Sequence, residues 1–133
     1  MVGIIIAAHG NLAQELLETT QFIVGEVENI VALTIDPSQD VNKLKSIIAK
    51  AIKGLDQGDG VLILTDMFGG TPSNIALTFL EKGKVDIVTG VNLPMLIRLA
   101  QCRSNGETLE QVTAEVLKYG RKSINQASSI LKS

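Results

Sequence analysis

The sequence predicts an α/β fold, doubly wound, in which a mainly parallel four-stranded sheet carries helices on both faces. Short apolar runs rich in Ile and Val alternate with longer amphipathic segments, and Gly, Asn or Asp residues stand at the joins. Continuous β-branched runs are typical of strands buried on both faces, and alternating strands and helices pair in parallel through right-handed crossovers. The length of 133 residues corresponds to one domain, residues 1–133. We expect the strand order 2-1-3-4.

The first half of the chain predicts two strands and two helices. The run from Val2 to Ala8 predicts the first strand, and a helix is expected from Asn11, a favourable N-cap, to about Gly25. The segment from Asn29 to Ile35 predicts the second strand. The next helix is indicated by apolar residues that share one helical face, namely Val41, Leu44, Ile47, Ile48, Ala51, Ile52 and Leu55.

The second half predicts two further strands and three helices. They are a strand from Gly60 to Asp66, a helix from Thr71 and Pro72 to about Gly83, a strand from Val85 to Thr89, a helix from Asn92 to about Gln101, and a helix from Thr108 to about Gly120. The tail from Ser123 to Leu131 has no pattern that predicts a helix or a strand, and an extra C-terminal strand is one option for it.

Composition and charge exclude several classes of function. Twelve basic and fourteen acidic residues give a net charge of −2, and aromatic residues make up 3% of the chain, which argues against nucleic-acid binding. A single cysteine, Cys102, excludes an internal disulfide and a cysteine-rich metal site. No apolar run approaches the ~20 residues of a membrane span, and the apolar start lacks the basic residues of a signal peptide. We therefore expect a cytoplasmic protein without direct membrane insertion.

Chemically versatile residues follow two strands that the predicted order makes neighbours. His9, Gly10 and Asn11 come directly after the first strand, and Asp66 follows the third, with Gly69, Gly70 and Thr71 just beyond it. Ligands of open parallel sheets bind beyond the carboxyl ends of the strands, where the strand order reverses. The only histidine of the chain is thus expected beside an aspartate, a Gly-Gly loop and two helix N-termini.

This combination is suited to a histidine that carries a phosphoryl group. Asp66 can accept a hydrogen bond from one imidazole nitrogen of His9 and leave the other as the nucleophile. Helix N-termini at Asn11 and Thr71, with the glycines Gly10, Gly69 and Gly70, offer backbone N–H groups to an anion, and Thr71 adds a hydroxyl.

The same residues are also compatible with a structural role or with other kinds of site. A lone histidine at the end of a strand is by default a structural residue, and Asp66 alone is compatible with a loop cap. A histidine phosphatase needs a second histidine, a response-regulator receiver needs an acidic pair after the first strand, and a flavodoxin needs a Ser/Thr-rich phosphate loop there. No Walker or GxGxxG motif is present. Arg98 and Arg103 are expected to be solvated.

The motifs resemble the enzyme IIA component of the mannose-type phosphotransferase system (PTS). The resemblance rests on Gly3 to Gly10 (GIIIAAHG), Asp66 to Asn74 (DMFGGTPSN) and Val88 to Met95 (VTGVNLPM), and it extends over essentially the whole chain. It implies that His9 accepts a phosphoryl group from phospho-HPr and gives it to a IIB protein for sugar uptake. It also implies that Asp66 supports His9 and that Thr71 lies beside the phosphoryl group.

The resemblance further implies a homodimer, in some members with an exchanged C-terminal strand. The apolar residues Leu109, Val112, Val116 and Leu117, followed by Ile124, Ile130 and Leu131, agree with self-association. Because the sequence ends at Ser133, we expect the IIB acceptor to be a separate protein. No metal and no organic cofactor is expected. The alternatives are a regulatory or binding module that uses the same cleft, such as an orphan PTS relay, and a subunit of the dihydroxyacetone-kinase type.

Overall fold

The computed structural model describes residues 1–67, 71–103 and 106–131, and for residues 71–73 it describes the backbone alone. Its sheet has four strands in the order β2-β1-β3-β4, and all neighbouring strands are parallel, as predicted. The strands are β1 (Gly3–His9), β2 (Ile30–Ile35), β3 (Val61–Thr65) and β4 (Val85–Thr89). The helices are α1 (Leu12–Val24), α2 (Val41–Leu55), α3 (Thr71–Leu77), α4 (Leu93–Cys102), α5 (Leu109–Lys122) and α6 (Ala127–Leu131).

The central strand β1 divides the hydrophobic core into two layers. Alternate side chains of a strand point to opposite faces. Ile4, Ile6 and Ala8 accordingly belong to the cluster that contains the buried residues of α4 and α5. Ile5 and Ala7 belong to the opposite cluster, which contains the buried residues of α2. Because β1 is covered on both faces, its carboxyl end, which His9 forms, is held in place just before the turn to α1.

Two helix ends differ from the sequence prediction. Helix α3 ends at Leu77 and not near Gly83, because Thr78 donates from both its backbone N–H and its hydroxyl to the Ile75 carbonyl, which tightens the last turn. Helix α5 does not end at Gly120 but continues to Lys122. A Cβ atom at residue 120 would lie 2.3 Å from Cε of Met95. Gly120 therefore allows α4 and α5 to pack closely and does not terminate the helix.

The C-terminal segment forms helix α6, so the extra C-terminal strand is not present within the described residues. The run Ala127–Leu131 lacks the apolar–polar alternation of a strand, and the Gln126 carbonyl accepts N–H groups from Ser129 and Ile130 in a helical turn. Ile124 and Leu131 are 80% and 86% exposed. The apolar residues Leu109, Val112 and Val116 of α5 are instead buried in the core of their own chain.

Arg103 was expected in solvent, yet its side chain is only 4% exposed. Its guanidinium donates to the carbonyls of Val2 and Asn29 at 2.8 and 3.2 Å and also to the carbonyl of Glu28. These carbonyls lie at the amino ends of β1 and β2. Burial lowers the pKa of Arg103 from its ordinary value. The expectation failed because a guanidinium with fixed donors can enter the interior when backbone carbonyls converge on it.

Candidate functional site

His9 and Asp66 meet at the carboxyl edge of the sheet. His9 is the last residue of β1, and Asp66 immediately follows β3, the strand that pairs with β1 in parallel register. Nδ1 of His9 lies 2.9 Å from Oδ2 of Asp66. The side chains are 35% and 14% exposed, so solvent and a partner protein can reach the imidazole while the carboxylate is largely shielded. The sequence-based expectation that the two residues lie together agrees with this geometry.

The Asp66 carboxylate accepts three hydrogen bonds that fix its position. Oδ2 accepts from the His9 ring and also from the His9 backbone N–H, at 3.1 Å. Oδ1 accepts from the backbone N–H of Met67 at 3.0 Å. One carboxylate therefore holds both the ring and the backbone of the histidine in place.

These hydrogen bonds also govern the charge of Asp66. Partial burial acts to raise the pKa of the Asp66 carboxyl, but the hydrogen bonds from the His9 ring and backbone outweigh it and keep this pKa below its ordinary value. Asp66 is therefore ionised at neutral pH. An ionised carboxylate accepts hydrogen bonds and donates none, so the Nδ1 atom that faces it carries the ring proton. In the neutral ring, which carries one proton, Nε2 is then the nitrogen with the free lone pair.

Backbone donors lie beside the imidazole, at the start of α1. Gly10 has φ +58° and an open position where a Cβ would stand, and Asn11 is the N-cap residue of α1. The Asn11 side chain makes no capping hydrogen bond. The first N–H groups of an α-helix have no acceptor within the helix and carry partial positive charge, so this end of α1 favours an anion.

The other sequence-predicted residues of the site are described only in part. Helix α3 begins at Thr71, as expected. The Thr71 side chain and the glycines Gly69 and Gly70 lie outside the described residues.

Two exposed apolar side chains border the site, Leu12 in the first turn of α1 and Met67 next to Asp66. Leu12 was not singled out from the sequence, where it reads as an ordinary residue of an amphipathic helix. Over residues 1–67, 71–103 and 106–131, no three His, Cys, Asp or Glu side chains converge in a metal-binding cluster. No helix in the described part of the chain is long and apolar enough to cross a membrane.

Comparisons with known proteins agree with this fold. The model of the family described as "PTS system fructose IIA component" (EIIA-man) matches residues 3–117. The chain is 34% identical to the PTS system fructose-specific EIIA component of Bacillus subtilis, over 79% of this chain and 73% of that protein. It is 30% identical to the PTS system mannose-specific EIIAB component of Escherichia coli over 92% of its own length, and it spans 38% of that longer relative.

A solved structure has the same architecture. The crystal structure of phosphotransferase system component EIIA from Streptococcus agalactiae superimposes with a TM-score of 0.86 at 26% sequence identity. The match covers 97% of this chain and 99% of the other. The parallel order β2-β1-β3-β4 with surrounding helices is thus the fold of that protein as well.

Proposed function

The chain belongs to the family of PTS fructose-type IIA components (EIIA-man), and on this premise we propose that it is a phosphocarrier in sugar uptake with His9 as its phosphoacceptor. Members of this family act as phosphotransferases of the PTS, which supports the kind of reaction. The observation that supports the assignment to His9 is its 2.9 Å hydrogen bond with Asp66 at the edge of the sheet.

In the proposed mechanism the carboxylate selects the nucleophilic nitrogen. With the Nδ1 proton directed to Asp66, the lone pair of Nε2 attacks the phosphorus of the incoming phosphohistidine. The new bond forms between Nε2 and phosphorus while the bond between phosphorus and the donor nitrogen breaks, and the donor imidazole keeps that electron pair. The Nδ1 proton stays on His9. The phosphorylated ring is then cationic, and the negative charge of Asp66 stabilises it.

The protein's remaining contribution is to position the phosphoryl group and to stabilise its oxygens. Phosphoryl transfer depends mainly on alignment and on compensation of the charge on the equatorial oxygens. The N–H groups at the start of α1, beside Gly10 and Asn11, are suited to this role. We assign the same role to the hydroxyl of Thr71 and to the backbone of Gly69 and Gly70.

The proposed partners are phospho-HPr as donor and a IIB protein as acceptor, in a cytoplasmic relay. Incubation with phosphoenolpyruvate, enzyme I and HPr tests the proposal, because a carrier gains one phosphoryl group per chain and a binding or regulatory module gains none. Addition of candidate IIB proteins should then discharge the labelled chain. Retention of the label with every sugar-PTS IIB protein tested would contradict a role in uptake.

We also propose that the chain forms a homodimer through its C-terminal region. The edge strand β4 and helix α5 border a groove of about 420 Å³ that includes Ile124 in its lining. Ile124, Ile130 and Leu131 are exposed in the single chain, and uncovered sheet edges favour association. Light scattering should give twice the chain mass of 14.2 kDa. A monomer mass at micromolar concentration would refute the proposal.

A further inference from the structure

A backbone hydrogen bond links the loop between β4 and α4 to the residue that precedes Asp66. The N–H of Val91 donates to the Thr65 carbonyl at 2.9 Å and continues the β3–β4 ladder beyond its last paired residues. The Thr65 carbonyl and the Asp66 N–H belong to one planar peptide group. The hydrogen bond from Val91 therefore fixes the orientation of the peptide from which the Asp66 side chain extends.

Asn92, the residue after Val91, attaches this loop to two helices. Its Oδ1 accepts from the Met95 N–H at 3.1 Å and caps α4, and its Nδ2 donates to the Gly120 carbonyl of α5, also at 3.1 Å. Helices α4 and α5 are in close contact at this level, because Gly120 packs directly against the Met95 side chain. Asn92 thus connects the loop to a tightly packed part of the structure.

We propose that Asn92 is a positioning residue for phosphoryl transfer, which rests on the proposed function of His9. By holding Val91 against Thr65, Asn92 orients Asp66, and Asp66 in turn determines which nitrogen of the His9 ring is protonated. The link to Gly120 also connects the site to the end of α5, next to the exposed C-terminal segment. A change in the contact between Asn92 and Gly120 consequently alters the His9 tautomer as well as the packing.

The test separates capping from positioning with the substitution Asn92→Ser. Serine is a good N-cap residue, so it preserves an acceptor for α4, but its short hydroxyl does not span the distance to Gly120. Thr108→Ala is the matched control. It removes the side chain that caps the start of α5, because Oγ1 of Thr108 accepts a hydrogen bond from the Gln111 N–H at 3.2 Å. Leu109, the next residue, packs beside Gly60 at the amino end of β3, the end of the sheet away from His9.

The first readout is nitrogen NMR of the unphosphorylated protein, in which His9 gives the only imidazole signals. Asn92→Ser should lower the fraction of the tautomer with its proton on Nδ1, whereas Thr108→Ala should lower the unfolding midpoint and leave the ring signals as in the wild type. Wild-type ring signals in Asn92→Ser, or an equal change in Thr108→Ala, would overturn the proposal.

The second readout is the single-turnover rate of phosphorylation by phospho-HPr. Coupling of this kind changes rates by about 2- to 30-fold, and we expect Asn92→Ser to lower the maximal rate by such a factor with an unchanged dependence on donor concentration. A changed ring spectrum with a wild-type rate would also overturn the positioning role. If the wild-type chain accepts no phosphoryl group, the proposed function fails, while the NMR comparison still decides whether Asn92 orients His9.

Discussion

Replacement of Asp66 by asparagine is expected to slow phosphorylation of His9 because an amide does not reproduce the three hydrogen bonds of the carboxylate. In the wild type, Oδ2 accepts two bonds from His9 and Oδ1 accepts one from Met67. An amide oxygen directed at His9 places the NH₂ group against the Met67 N–H. The opposite orientation places NH₂ against the His9 backbone N–H and requires Nδ1 to become an acceptor.

The size of the effect follows from these contacts. Each orientation leaves at least one N–H group without its carboxylate acceptor. A buried N–H group without an acceptor costs about 1–3 kcal/mol of folding stability, and the cost here should lie at or below the low end of that range because the Met67 N–H is exposed and the His9 donors are part-buried. Loss of the negative charge beside the phosphorylated ring adds a direct kinetic effect. By analogy with the removal of orienting or oxyanion-stabilising groups elsewhere, the rate of transfer should fall by ~10²-fold or more.

Rapid-quench measurement of phosphorylation by phospho-HPr, combined with urea unfolding, checks both numbers. Asp56→Asn is the matched control, because its carboxylate also accepts two backbone N–H groups, from Gly58 and Gly60, but at the other end of the sheet. That variant should phosphorylate at the wild-type rate. An Asp66→Asn protein with the wild-type rate and the wild-type ring tautomer would refute the role assigned to Asp66.

Three further predictions concern the fold and its pH dependence. The pKa of Asp66 in the folded state lies below its ordinary value of 3.8. The stability that the ionised carboxylate contributes should therefore be lost as the pH falls below about 4, and urea unfolding should show a smaller advantage of the wild type over Asp66→Asn there than at about pH 5. Arg103→Met should lower the free energy of unfolding by about 1–3 kcal/mol, because the buried Val2 carbonyl and the part-buried Glu28 carbonyl lose the guanidinium donor. An unchanged urea midpoint would contradict the structural role. In Gly3→Ala the new Cβ would lie 2.7 Å from Cβ of Leu55. This clash should lower the free energy of unfolding, measured by chemical denaturation, by about 1–3 kcal/mol. The control Gly54→Ala meets no atom within 4 Å and should be neutral or stabilising by up to ~1 kcal/mol.

The parts of the molecule that sequence reasoning predicted are those with a local or periodic cause. The buried strands appear as continuous β-branched runs, and parallel strands bring their carboxyl ends to one edge. From these two rules the sequence predicts that His9 and Asp66 lie close together. The protonated ring nitrogen could not be predicted in the same way, because it depends on which imidazole atom faces Oδ2 at hydrogen-bond distance.

Two of the wrong predictions concern residues whose role depends on distant segments. Gly120 resembles a helix terminator in the sequence, but it is required because Met95 of another helix occupies the space of its Cβ. Arg103 resembles a surface residue until its guanidinium is seen to meet carbonyls near residues 2 and 28. Neither contact leaves a signal in the neighbouring sequence.

The position of the phosphoryl group tests the central claim most directly. The wild-type chain and the variant His9→Ala are each incubated with phosphoenolpyruvate, enzyme I and HPr, and the products are analysed by intact mass and by phosphorus–nitrogen NMR. We predict one acid-labile, alkali-stable phosphoryl group per wild-type chain, bonded to Nε2 of His9, and none on His9→Ala. A phosphoryl group on Nδ1, an acid-stable adduct, or full labelling of His9→Ala would contradict the account.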